Sequence, residues 1–152
     1  MHSFYLRNLY LKNLLCKPNG VTLAGTPIDV TGIKTPAYFI STAEDHIAPW
    51  QSTYAGAQLL RGPVRFVLGG SGHIAGIINP PSKNKYGHYT KDGPVAGDPE
   101  AWLKGATFHD GSWWPRWGAW LAAQSGPMVK ARIPADSLAP APGTYVGATP
   151  DL

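Results

Sequence analysis

The chain has 152 residues, 43% apolar and 11% aromatic, enough for one ordinary domain with a core, and carries a formal net charge of +4. No run approaches the roughly 18 to 20 apolar residues that span a bilayer, so no membrane span is expected. The 13 Lys and Arg are scattered, with no run that would make a nucleic-acid stripe. The single Cys16 excludes an internal disulfide framework and fits a reducing compartment.

The elements follow in chain order. Phe4, Leu6, Leu9, Tyr10, Leu14 and Leu15 recur at helical spacing, with Arg7, Asn8, Lys12 and Asn13 between them, and predict one amphipathic helix over residues 2–15. This alternation is unlike a signal peptide. Lys17-Pro18-Asn19-Gly20 ends it. VTLAG and PIDVTGI, in the stretch 21–35, suggest a small hairpin or a strand with a connector.

A clearer unit follows. Residues 35–41 read as a strand, 42–50 as a loop holding Asp45 and His46, 51–61 as a helix ended by Gly62-Pro63, and 64–69 as a buried strand. Two strands joined by such a helix make a βαβ crossover, so the sheet is at least partly parallel and the fold class is α/β. The loops at 42–50 and 69–76 then both leave carboxyl ends of strands, which puts Asp45 and His73 on one rim of the sheet, where open α/β folds keep their sites. Residues 79–99 are polar and turn-rich and predict a surface excursion that includes His88. Helices are expected at 99–104 and after Ser112, a plausible N-cap, with the pre-proline residue Trp114 outside the second helix and Trp113, Trp117 and Trp120 on one buried face. Residues 133–152, rich in Ala and Pro, read as an extended or disordered arm.

Asp45 and His73, 28 positions apart, supply an orienting carboxylate and a general base. The carboxylate would accept the imidazole N–H, fix the tautomer and stabilise the imidazolium. The order acid then histidine suits α/β-hydrolase topology, but no G-x-S-x-G or G-x-C-x-G occurs, so the nucleophile elbow and its oxyanion donors are missing. Cys16 follows no strand and no tight glycine turn and reads as a packing cysteine. His46, His88 and His109 show no metal-ligand spacing, and no metal site is expected.

Four stretches together resemble one family: HSFYLRNLYLKN at 2–13, EDHIAPW at 44–50, VRFVLGGSGHIAGIINPPSKNK at 64–85, and GSWWPRW at 111–117. The chain resembles the C-terminal part of a class I polyhydroxyalkanoate synthase, up to about Tyr145. The resemblance implies the last parallel strands and helices of an α/β-hydrolase-like domain, in which a Cys, Asp and His triad polymerises (R)-3-hydroxyacyl-CoA, 3-hydroxybutyryl-CoA above all, with release of CoA. Asp45 of EDH would be the acid and His73 of SGHIAG the base. No cofactor is implied, since the CoA thioester is the substrate, and the mild basicity suits that anion, although a solvated basic surface is the plainer reading.

It further implies residues 1–20 as the end of a cap region, 21–132 as catalytic-domain sequence and 133–152 as an arm. The growing polyester chain, a granule surface in the cytoplasm and a second copy in a homodimer are the implied partners. The family's cysteine has no counterpart here, so a truncated chain, inactive and poorly stable alone, is expected. An esterase or depolymerase fragment, or a non-catalytic granule-binding module built on the tryptophans, are the competing readings.

Overall fold

The computed structural model describes residues 1–133 and 139–149. Its centre is the crossover β3 (Ala37–Thr42), α2 (Trp50–Ala57) and β4 (Val64–Gly69), in which β3 and β4 pair in parallel from Ala37 against Val64 to Thr42 against Gly69. The β-branched and aromatic residues of both strands suit a pleated, buried surface, and Gly62-Pro63 turns the chain back into the sheet. Two short strands, β5 (His88–Thr90) and β6 (Thr107–His109), then add antiparallel, giving the order β3-β4-β5-β6. The sheet is mixed and the chain is of mixed α/β class.

The excursion expected at 79–99 is therefore corrected. Its middle is a strand, and His88 lies buried at 2% exposure beside β4. HYT at 88–90 and TFH at 107–109 carry no apolar run, so pairing with a sheet already formed, and not local preference, decides these segments. His109, likewise expected in a polar stretch, sits on β6 opposite His88.

One face of the sheet carries the core. Trp50 and Tyr54 of α2, Phe66 and Leu68 of β4, and Trp102 of α3 (Pro99–Lys104) form an aromatic cluster, with Tyr54 and Trp102 meeting Phe66 edge to face at 5.1 and 5.2 Å. The Tyr54 hydroxyl donates to the Ala96 carbonyl at 3.0 Å, so the cluster buries no bare phenol there. The helix expected at 99–104 is observed, and Asp98 caps it by accepting from Ala101 N–H, with Pro99 in the first turn.

The other face meets α4 (Trp114–Ala122), where Trp120 packs on Tyr38 at 5.2 Å and Trp113 stacks on it at 6.3 Å. The expected buried stripe holds only in part: Trp113 is 8% exposed, but Trp117 is 40% exposed and covers Trp113 from outside. Trp114, placed outside the helix by the pre-proline rule, is its first residue; Pro115 falls in the first turn, where no N–H is needed.

The amino-terminal segment also departs from one continuous α-helix. α1 (His2–Tyr5) widens into a π-type turn over Leu6–Leu11, Asn13 adopts φ 46° and a 3-10 turn follows at Leu14–Cys16. Widening moves successive side chains off the 3.6-residue stripe, and Tyr10 and Leu11 stand 80% and 76% exposed. The hairpin is observed: β1 (Val21–Leu23) and β2 (Thr26–Ile28) join through Ala24 and Gly25, both at positive φ as a two-residue hairpin turn requires. Of the arm expected over 133–152, residues 134–138 and 150–152 lie outside the described residues; between them are two exposed turns, one closed by Gly143 N–H on Pro140 O and one at Tyr145–Gly147. Among the described residues no helix is long and apolar enough to cross a membrane.

Candidate active site

The two rim loops are tied together by the backbone before any side chain meets. Ala43 N–H donates to Gly69 O at 2.9 Å and Glu44 N–H to Ser71 O at 3.0 Å, which extends the parallel ladder one step past each strand. The histidine turn then packs flat on the end of β3. A Cβ at Gly76 would collide with Thr42 Cγ2 and the Gly70 carbonyl, so only glycine fits.

On this frame Asp45 and His73 come together: His73 Nδ1 lies 2.7 Å from Asp45 Oδ2. The other carboxylate oxygen, Oδ1, accepts from Ile47 and Ala48 N–H, both at 2.9 Å. Asp45 thus caps its own loop with one oxygen and holds the imidazole with the other. Its side chain is 8% exposed and that of His73 is 49% exposed. The Ala48 N–H above all, then the His73 hydrogen bond, lowers the Asp45 carboxyl to about 2, so it is ionised throughout the working range. An ionised carboxylate can only accept, which assigns the Nδ1 proton to the ring and leaves Nε2 as its lone-pair nitrogen.

The turn behind His73 is fastened to α4. Trp113 Nε1 donates to Gly76 O at 3.2 Å and Trp114 Nε1 to Ile77 O at 2.9 Å. Asn79, 2% exposed, donates to Lys85 O at 2.6 Å and Tyr86 O at 3.1 Å and closes the loop that follows. Reading the tryptophans as a packing face missed these contacts. The visible signal was the pair of adjacent indoles, each a donor that a buried position must satisfy.

The remaining candidates lie elsewhere. His46 is exposed and does not join the pair. Cys16 Sγ donates to Asn13 O and lines a shallow apolar depression with Leu15, Val30, Ile33 and Phe39. His88 Nδ1 donates to Gly111 O at 3.0 Å, and His109 Nδ1 accepts from Arg116 at 2.8 Å. These two rings line a cleft of about 550 Å³ beside α4, not the rim that carries Asp45 and His73.

This mixed α/β segment thus presents a carboxylate and an imidazole, hydrogen-bonded to each other, from two adjacent strand ends. No protein-family model matches the chain. Curated relatives do: it is 48% identical over 154 residues to the poly(3-hydroxyalkanoate) polymerase subunit PhaC of Cupriavidus necator, covering 97% of this chain and 26% of the relative. It is 51% identical to the poly(3-hydroxyalkanoate) polymerase of Methylorubrum extorquens (95% of this chain, 24% of the relative) and 42% to polymerase 2 of Ectopseudomonas oleovorans (93% and 26%). The chain belongs to the poly(3-hydroxyalkanoate) polymerase family, and spans about a quarter of the length of the curated relatives it matches.

Proposed function

We propose that this chain supplies the acid and the base of a polyhydroxyalkanoate polymerase centre, within an α/β-hydrolase-like catalytic domain. The 2.7 Å contact between His73 Nδ1 and Asp45 Oδ2 carries the reading, because it leaves Nε2 free to take a proton while an ionised carboxylate faces the positive ring that results. The nucleophile is a cysteine in a part of the polymerase outside these 152 residues. Cys16, bonded to Asn13 O, is not that group.

His73 Nε2 takes the thiol proton as the sulfur bonds to the thioester carbonyl carbon of an (R)-3-hydroxyacyl-CoA. The bond to CoA sulfur then breaks, and CoA leaves as the thiol with the proton from Nε2. In the second half the 3-hydroxyl of the next unit gives its proton to Nε2 as its oxygen attacks the enzyme-bound acyl carbon. An ester forms, and the cysteine sulfur regains the proton. Substrate and growing polyester, rather than a resident cofactor, are the bound species. The polymerase works at a polyester granule surface in the cytoplasm, as a homodimer.

The experiment grafts residues 1–152 in place of the matching segment of the Cupriavidus necator polymerase and follows CoA release from 3-hydroxybutyryl-CoA. His73→Ala lowers turnover by about 10²- to 10⁴-fold, and the chain alone releases no CoA. Near-normal turnover in the His73→Ala graft sinks the reading.

A further inference from the structure

His73 is only as well placed as the turn that carries it, and this turn is held at both ends by other segments. At its front, Glu44 N–H donates to Ser71 O, and Gly70 N–H to Gly87 O at 2.8 Å. The turn itself is a single helical coil, with Gly76 N–H bonded to Gly72 O and Ile77 and Ile78 N–H both to Ile74 O, at 3.0, 3.1 and 2.8 Å. So short a coil cannot pair its last carbonyls internally. Two of them, Gly76 O and Ile77 O, are taken instead by the indole N–H groups of Trp113 and Trp114.

The match is one of order as well as number: consecutive residues entering α4 serve consecutive carbonyls leaving the histidine turn. Other contacts fix the Trp113 ring and the Trp114 backbone. Trp113 stacks on Tyr38 and meets Trp114 and Trp117 edge on, at 6.4 and 6.1 Å, and Ser112 Oγ accepts from Trp114 N–H at 3.1 Å to set the start of the helix. Phenylalanine would fill much of the same space, but would leave each carbonyl facing a group with no donor.

We infer that Trp113 and Trp114 are positioning residues for the acid–base pair: their two N–H groups fix the back of the 72–78 turn and so hold His73 Nδ1 on Asp45 Oδ2. The inference rests on the reading of that pair as catalytic, and neither tryptophan touches reacting atoms. It makes the entry to α4 part of the site, whereas packing alone would make it a lid on the sheet.

The test separates these. The whole chain is prepared as Trp113→Phe, Trp114→Phe and the double variant, with Trp117→Phe, on the same helix but without such a bond, as control. Two-bond ¹H–¹⁵N correlations report the His73 tautomer at pH 8. The double variant moves His73 from the Nδ1–H form to a mixture with the Nε2–H form, and Trp117→Phe leaves it unchanged. Carried into the grafted polymerase, the double variant lowers kcat by about 10- to 100-fold, with KM within about twofold.

An unchanged His73 tautomer in the double variant overturns the positioning role, whatever turnover does. A changed tautomer with unchanged turnover supports the positioning but removes the catalytic reading of the pair. Should the double variant fail to fold, 3-benzothienylalanine at position 114 keeps the ring bulk and deletes only the N–H. A wild-type tautomer there overturns the role, and a shifted one supports it.

Discussion

His73 and His88 each bring Nδ1 within 3.0 Å of an oxygen, and the two sites put that bond to opposite use. His73 faces a carboxylate on an open rim, so a proton gained at Nε2 creates a charge that its partner already compensates. His88 faces the Gly111 carbonyl inside the sheet, at 2% exposure. A carbonyl fixes the tautomer as firmly but offers only a dipole, and burial pushes the His88 imidazole below its ordinary value, holding it neutral. Position on the sheet sets the difference: His73 leaves the carboxyl end of β4, and His88 is paired within β5 opposite Gly69. On the proposed function one ring exchanges a proton, while the other is held in its place by the sheet.

The largest effects break this contrast outright. In the grafted polymerase His73→Ala removes turnover on the scale already given, while the unfolding free energy of the chain from urea titration stays within about 0.5 kcal/mol of wild type, as for other exposed sites. His88→Ala does the reverse: it empties a buried site and leaves the Gly111 carbonyl without its donor, a loss of about 2 to 4 kcal/mol. Equilibrium urea unfolding of both variants checks the pair, and equal destabilisation by the two substitutions removes the distinction.

Asp45→Asn is the next step down. The amide keeps the shape and can still accept from Ile47 and Ala48 N–H through its oxygen, but it then presents an NH₂ group to His73 and drives the ring toward the wrong tautomer. Turnover in the graft falls by about 10²- to 10⁴-fold, with the fold retained by circular dichroism. Turnover within twofold of wild type counts against Asp45 as the orienting group.

The crossover that carries the pair was legible because Tyr38, Phe39 and Ile40, and Phe66, Val67 and Leu68, form apolar runs bounded by Gly and Pro, and chain order alone then puts Asp45 and His73 on one rim. β5 and β6 were not legible. Each has three residues, one a histidine, and a strand that short takes its conformation from the partner it pairs with. The same blindness hid His88 and His109, whose burial is a property of the sheet. The tryptophans of GSWWPRW were visible as aromatic mass, but their N–H groups find carbonyls 37 positions earlier in the chain, a distance no local pattern spans. The amino-terminal stripe marks helical turns but not the one amphipathic helix expected over 2–15: the widening at Leu6–Leu11 has no marker in residue type, and no residue of the segment is buried.

The smallest and sharpest test of the contrast is the acid limb of stability, where the two sites fail at different pH. His88 has a folded value below its ordinary 6.5, so below pH 6.5 the unfolded chain binds a proton that the folded one refuses. Its contribution is complete above 6.5 and is lost as pH falls through the depressed folded value. Asp45 has a folded value of about 2 against an ordinary 3.8, so its contribution is complete above 3.8 and is lost between there and about 2. Melting temperature followed from pH 8 to pH 2 therefore falls in two stages. His88→Asn flattens the upper stage and leaves the lower one, while Asp45→Asn flattens the lower and leaves the upper. If Asp45→Asn instead alters the stage that begins below pH 6.5, the carboxylate is coupled to the buried histidine pair, and the rim and the sheet interior are one electrostatic unit instead of two.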